Sequence, residues 1–304
     1  MTPRLSRLVP AVAALAALTA LSGCGSSSGG GGAGDSGSIQ VVAAENFWGD
    51  IAKQIGGSHV DVTSIISDPS ADPHLYESDP RTAAQVSSAQ LVIDNGLGYD
   101  DFIDKILGTG GSSGRRVLSV QKVLRVSGSN ANPHLWYWTA RLPEVAAAIA
   151  GQLSAIDPAH RAAFHAGAEH FDASLKPLLS TIATIKRKYG GTKIAYTERV
   201  PGYLVEAAGL VLGTPASFSQ AIEDGNDPSP QDASAFDSDI TTRQVKVLLY
   251  NSQVVDAQTN KIKQLAISAG IPVVGVSETV PPEFSDFQAW QLHQDRALLE
   301  ALGG

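Results

Sequence analysis

Residues 159–189 constrain the fold more than any other stretch. Phe164, Ala168, Phe171, Leu175, Leu178, Leu179, Ile182 and Ile185 recur there at helical spacing, which predicts one amphipathic helix. About thirty helical residues make a rod roughly 45 Å long. That is the width of a whole domain, so the helix suits a connector between two lobes. Pro177 lies inside it and predicts a kink.

Strand and helix patterns alternate on both sides of this rod. Upstream, short β-branched runs at 39–44, 60–66, 91–94 and 117–120 are separated by helical patterns, one of them opened by Asp79-Pro80. Thr139 is placed to cap a helix running to Ile156. Downstream, strand patterns at 193–196, 245–250 and 270–276 alternate with helices at 201–208, 256–269 and 286–302. Residues 221–236 are rich in Asp, Ser, Pro and Gly and read mostly as loop, with a short helix near Pro230. Such alternation implies parallel sheets flanked by helices. The expected class is α/β: an N-terminal lobe over 39–156, a connecting helix over 157–189 and a C-terminal lobe over 190–304.

The first residues stand apart from this fold. Arg4 and Arg7 precede an apolar run over 9–21 that is too short to span a bilayer, and Leu21-Ser22-Gly23-Cys24 follows. This pattern predicts a signal peptide over 1–23. The tetrapeptide matches the bacterial lipoprotein signal, in which the cysteine is lipidated, so Cys24 is the expected anchor. Residues 24–38 are almost entirely Ser, Gly and Ala and read as a flexible tether. The expected location is therefore extracytoplasmic, at a membrane surface, and a tethered monomer is the simplest assembly. Cys24 is the only cysteine, which rules out an internal disulfide and a cysteine-based zinc site. A net charge of −8 without basic clusters argues against nucleic acid as a partner.

Two short motifs carry the chemistry. Asp72-Pro73-His74-Leu75-Tyr76 is echoed by Asn132-Pro133-His134-Leu135-Trp136. In each, proline and the residue it restricts hold a histidine on a rigid turn. A lone histidine on a turn is ordinarily a surface residue; two of one design, each after a strand-rich stretch, point to a shared target. Glu198 and Glu278 follow predicted strands of the second half. The carboxyl edge of an open α/β sheet is where ligands bind. Two imidazoles and two carboxylates make a donor set for a divalent transition metal. Taken singly, Glu198 reads equally as a helix cap and Glu278 as a solvated loop residue. The other five histidines, His59, His160, His165, His170 and His293, read as surface residues. The Trp136-Tyr137-Trp138 run reads as packing around the His134 turn, and Asp100-Asp101 as an exposed pair at a helix start. No Gly-x-Gly-x-x-Gly follows a predicted strand, and no phosphate loop, strand-to-helix Gly-x-Ser-x-Gly elbow or His-Glu-x-x-His helix is present.

These motifs, with the Ala89–Asp101 segment that contains Asn95-Gly96-Leu97-Gly98-Tyr99, resemble the zinc- and manganese-binding solute-binding lipoproteins of bacterial ABC importers. The likeness covers residues 39–302. It implies two α/β lobes joined by a long helix, with a metal between them and a membrane permease as partner. It also implies His74 and His134 as the first two ligands and Glu198 as the third, in the glutamate version common among manganese-type members. Glu278 takes the place of a fourth ligand that is usually aspartate, one methylene shorter. The His- and Asp-rich loop of zinc-type members is absent.

Ligand type alone does not choose the metal. Carboxylates tilt a site toward manganese, while the general affinity order favours zinc over manganese; iron ranks behind both. The expected activity is capture and delivery of the ion without chemistry, because four protein ligands close the sphere that a catalytic metal keeps open. The rival readings are a metal-dependent hydrolase with a water on the metal and a metal-containing surface adhesin.

Overall fold

The computed structural model describes residues 37–109 and 114–304. The predicted signal peptide, Cys24 and nearly all of the tether lie outside the described residues. Among the described residues, no helix is long and apolar enough to cross a membrane.

The first lobe holds β1 (Ile39–Glu45), β2 (Val60–Ile66), β3 (Leu91–Asp94) and β4 (Arg116–Ser119), all parallel, in the order β2-β1-β3-β4. Val41 sits opposite both Val62 and Leu91. The period-two alternation of β1 explains its central place. Ile39, Val41 and Ala43 enter the main core, while Val42 and Ala44 enter a smaller core on the other face with Val92 and Phe102. Helices α1 (Asn46–Gly56), α2 (Pro80–Ser88), α3 (Asp101–Thr109), α4 (Val120–Leu124) and α5 (Leu142–Ile156) complete the lobe. Thr139 does not cap α5. It is buried in a 3-10 turn, and α5 starts after Arg141 without a side-chain cap, with Pro143 in its first turn. Proline is already shaped for that position and has no N–H to leave unpaired.

The connector is helical along its length, with one interruption. A 3-10 turn at Pro158–His160 leads into α6 (Arg161–Ser174), and α7 (Lys176–Tyr189) follows. The interruption falls at Leu175, two residues ahead of Pro177. Pro177 lacks the N–H that would bond to residue 173. Leu175 keeps helical angles, φ −75° and ψ −12°, so the backbone stays helical through the interruption. Its two halves serve different lobes: α6 packs on α1 and α5, whereas α7 packs on α12 (Phe287–Ala301), the last helix. In α6, a Cβ on Gly167 would lie 2.3 Å from the Ile55 carbonyl oxygen. Only glycine permits so close an approach to α1.

The second lobe repeats the design. β5 (Lys193–Tyr196), β6 (Val211–Leu212), β7 (Leu248–Asn251) and β8 (Val273–Val276) are parallel in the order β6-β5-β7-β8. Helices α8 (Gly202–Ala207), α9 (Ala216–Glu223), α10 (Pro230–Thr241) and α11 (Ala257–Ala269) lie between the strands in sequence. The segment expected to be loop over 221–236 is thus largely helical. Ser229 caps α10 by accepting from Asp232 N, Pro230 opens the helix, and Phe236 and Ile240 are buried against Phe218 and Ile262. Burial of that apolar stripe outweighs the poor propensity of the Asp and Ser residues around it.

The lobes share one core, in which Ile51, Phe171, Leu178 and Trp290 all take part. Polar pairs also tie them. Asn46 and Val280 exchange two hydrogen bonds of 2.9 Å, Gln54 and Gln288 exchange two more of 2.9 Å, and Phe287 N donates to Asp50 Oδ2.

Candidate metal centre

Both sheets direct their carboxyl ends into one cleft of about 330 Å³, whose lining includes Asp72, His74, Tyr99, Glu198, Arg199 and Glu223. The first histidine turn follows β2. Asp72 accepts from His74 N at 2.9 Å, and a 3-10 turn runs over Pro73–Leu75. In the second turn, Asn132 Oδ1 accepts from His134 N at 3.1 Å and lies 2.6 Å from His134 Nδ1. That contact puts the proton on Nδ1 and leaves the Nε2 lone pair facing Glu278 Oε2.

His134 is fully buried and His74 mostly so. The Nε2 atoms of both have no hydrogen-bond partner. Each faces the same oxygen: Glu278 Oε2 is 3.3 Å from His74 Nε2 and 3.4 Å from His134 Nε2. Ligands about 2.1 Å from a tetrahedral ion stand ~3.4 Å apart; both histidine-to-Glu278 spacings match this, and all three donor atoms lie within 4.8 Å of one another. Among the described residues this trio is the only group of three or more His, Cys, Asp or Glu side chains able to converge in that way. Glu198 is not in the trio. It is buried beside it, linked through Asn251, whose Nδ2 donates to Glu198 Oε2 and, at 2.7 Å, to Glu278 Oε1.

Protonation follows from this crowding. Burial opposes charge on His74, but the adjacent Glu278 carboxylate, helped by Asp72 and Glu198, pushes it up to about 9. Burial likewise works against the Glu278 carboxylate, but the two histidines outweigh it and hold the group well below the usual carboxylate range. Burial and the neighbouring Glu278 charge raise Glu198. Tyr99 is raised by burial, then by Glu278, so its neutral hydroxyl donates to Glu278 Oε2 at 2.8 Å. At the mouth, Arg199 grips Glu223 with two bonds of 2.8 and 2.6 Å and reaches Asn130 O across the cleft.

A family model described as "Zinc-uptake complex component A periplasmic" matches residues 41–301. The chain belongs to this family. Among its relatives is the manganese-binding lipoprotein MntA of Bacillus subtilis, 27% identical over 248 residues, or 76% of this chain and 77% of that protein. Another is the manganese ABC transporter substrate-binding lipoprotein PsaA of Streptococcus pneumoniae, 24% identical over 240 residues, 74% of this chain and 76% of that protein. The fold is that of the periplasmic zinc binding protein TroA from Treponema pallidum, with a TM-score of 0.74, 18% identity and coverage of 88% of this chain and 100% of that one. It is also that of FpvC from Pseudomonas aeruginosa, solved in complex with Mn2+, with a TM-score of 0.72, 18% identity and coverage of 87% and 98%.

Several polar residues around the centre escaped the sequence reading. Asn251 ends β7, at the same sheet edge that singled out Glu198 and Glu278, and the edge rule alone would have found it. Gln253 Oε1 accepts from the backbone N of Glu278 and Thr279, and its Nε2 donates to Ala71 O in the first histidine loop. Tyr99 lies in the resembling segment without having been given a role. The loop before it takes positive φ at Gly96, Leu97 and Gly98. Asp100 holds that loop, accepting from Asn95 N and Gly96 N. Its reading as half of an exposed pair is corrected: Asp100 is 3% exposed, because its carboxylate is needed inside the turn, whereas Asp101 is exposed. Glu45, at the end of β1, is also buried, raised by burial and then by the charge of Asp100.

Proposed function

We propose that this protein captures a divalent transition-metal ion outside the cytoplasm and delivers it to the permease of an ABC importer. The observation that carries the reading is the convergence of two buried, unpartnered imidazole nitrogens on one carboxylate oxygen, at 3.3 and 3.4 Å. An unpaired polar atom in a protein interior is costly; two aimed at one point are accounted for by a cation between them. His74, His134, Glu198 and Glu278 are the proposed ligands, and Mn2+ and Zn2+ the candidate ions. Family membership supports transport, and the manganese and zinc proteins among its relatives support the choice of ions.

The protein holds its cargo without transforming it. Four protein donors would fill a tetrahedral sphere and leave no open position for a reacting water. Lipidation at Cys24 would tether the monomer through residues 24–38, with lobes over 39–156 and 190–304 and the connector over 157–189.

His74→Ala tests the assignment. It removes a nitrogen donor from a partly exposed turn, so the fold should persist. Metal affinity should fall by more than the roughly 10–100-fold that an outer-shell loss costs. Calorimetry showing unchanged affinity for both zinc and manganese would place the site elsewhere.

A further inference from the structure

Asn251 lies between the two glutamates, 1% exposed. Its Nδ2 donates to Glu198 Oε2 and to Glu278 Oε1. The orientation of the amide is fixed from behind: Oδ1 accepts from Gln253 N at 3.1 Å. Turning the amide over would set Oδ1 against two carboxylate oxygens and Nδ2 against an N–H group. The backbone holds it as well, with Asn251 N donating to Thr197 Oγ1 at 3.1 Å. One oxygen of each glutamate is therefore committed to Asn251. Glu278 Oε2, the oxygen not bonded to Asn251, faces both histidines and also accepts from the Tyr99 hydroxyl.

We propose that Asn251 sets the denticity of both glutamates and through it biases the site toward zinc over manganese. The inference rests on the metal-capture reading above and deepens it. With one oxygen from each glutamate and one nitrogen from each histidine, the protein offers four donors. Zinc is satisfied by four in a tetrahedron. Manganese favours an oxygen-rich octahedral set, which these residues supply only if both carboxylates become bidentate. That would make each Asn251-bonded oxygen serve the ion and the amide at once, which weakens both bonds of a buried amide.

The test compares zinc and manganese binding by the wild-type protein and by Asn251→Ala, using competition with chelators, and adds X-ray absorption on the zinc-loaded wild type. Four nitrogen and oxygen neighbours around zinc in the wild type are expected. In Asn251→Ala the preference for zinc over manganese should narrow by about tenfold or more, the scale of an outer-shell change, chiefly through tighter manganese binding. Five or six neighbours around zinc in the wild type would overturn the proposal, even if Asn251→Ala failed to fold. So would an unchanged preference in a folded Asn251→Ala protein, and in both cases metal capture would stand. A wild-type protein that binds neither ion would instead remove the reading on which the inference depends.

Discussion

Asn132 is the residue at which the second histidine and the opposite lobe meet, and replacing it should separate two effects. Its Oδ1 serves His134 N and Nδ1, at 3.1 and 2.6 Å, while its Nδ2 donates to Arg199 O, next to Glu198, at 2.8 Å. Asn132→Ala removes all three contacts. At about 1 kcal/mol per hydrogen bond, the loss of stability is about 3 kcal/mol. It also frees the His134 ring to turn and change tautomer. Loss of such an outer-shell partner costs about 10–100-fold in metal affinity, or about 1.4–2.7 kcal/mol. Asn132→Asp keeps an acceptor for His134 and strengthens it with charge, but it has no donor for Arg199 O. Its stability should fall, while its metal affinity stays within a few-fold of wild type or rises. Thermal melts of the metal-free proteins and chelator competition with zinc measure both quantities. The reasoning fails if Asn132→Ala binds zinc within about twofold of wild type. It fails equally if Asn132→Asp loses as much affinity as Asn132→Ala, because the histidine contact would then not be the part that matters.

Further outcomes follow from the same geometry. A Cβ on Gly202 would lie 2.5 Å from Asn132 Nδ2, so Gly202→Ala should break the bond to Arg199 O and lower stability by about 1–2 kcal/mol, with a smaller loss of metal affinity than Asn132→Ala; an unchanged melt would mean the side chain yields freely. Metal uptake should release protons, since ligation needs neutral imidazole and His74 is held up to about 9. Affinity should therefore climb with pH and flatten above about 9, and calorimetry at pH 7 in buffers of differing ionisation heat should register about one proton from His74, plus any held by the raised Glu198; zero release would contradict the His74 assignment. For the metal-free protein the raised His74 pKa gives stability that is full below its ordinary value of 6.5 and lost as pH rises through about 9. The depressed Glu278 acts in the opposite sense, adding stability above its ordinary 4.5 that is lost in acid.

Local periodicity and turn chemistry were enough to read the architecture. Alternating strands and helices, and the apolar stripe from Phe164 to Ile185, specify two parallel α/β lobes and a helical rod, because side-chain spacing alone distinguishes a buried strand from an amphipathic helix. The two proline-held histidines were legible for the same local reason. Where local composition misled, tertiary burial had overruled it. The polar stretch over 221–236 became helical because Phe236 and Ile240 found a core, and Thr139 was buried in a turn instead of capping.

The sequence by itself determined the donor types and the sheet edges that carry them. Only the tertiary structure decided how they meet. It set Glu278, with its extra methylene, against both histidines and kept Glu198 one amide away. It also brought in Asn251, Tyr99 and Asn132, polar residues whose roles depend on partners 27, 179 and 67 positions distant. Hydrogen bonds across such separations have no local periodicity to announce them. They arise only when the closing of the two lobes takes water away from groups that must then find each other.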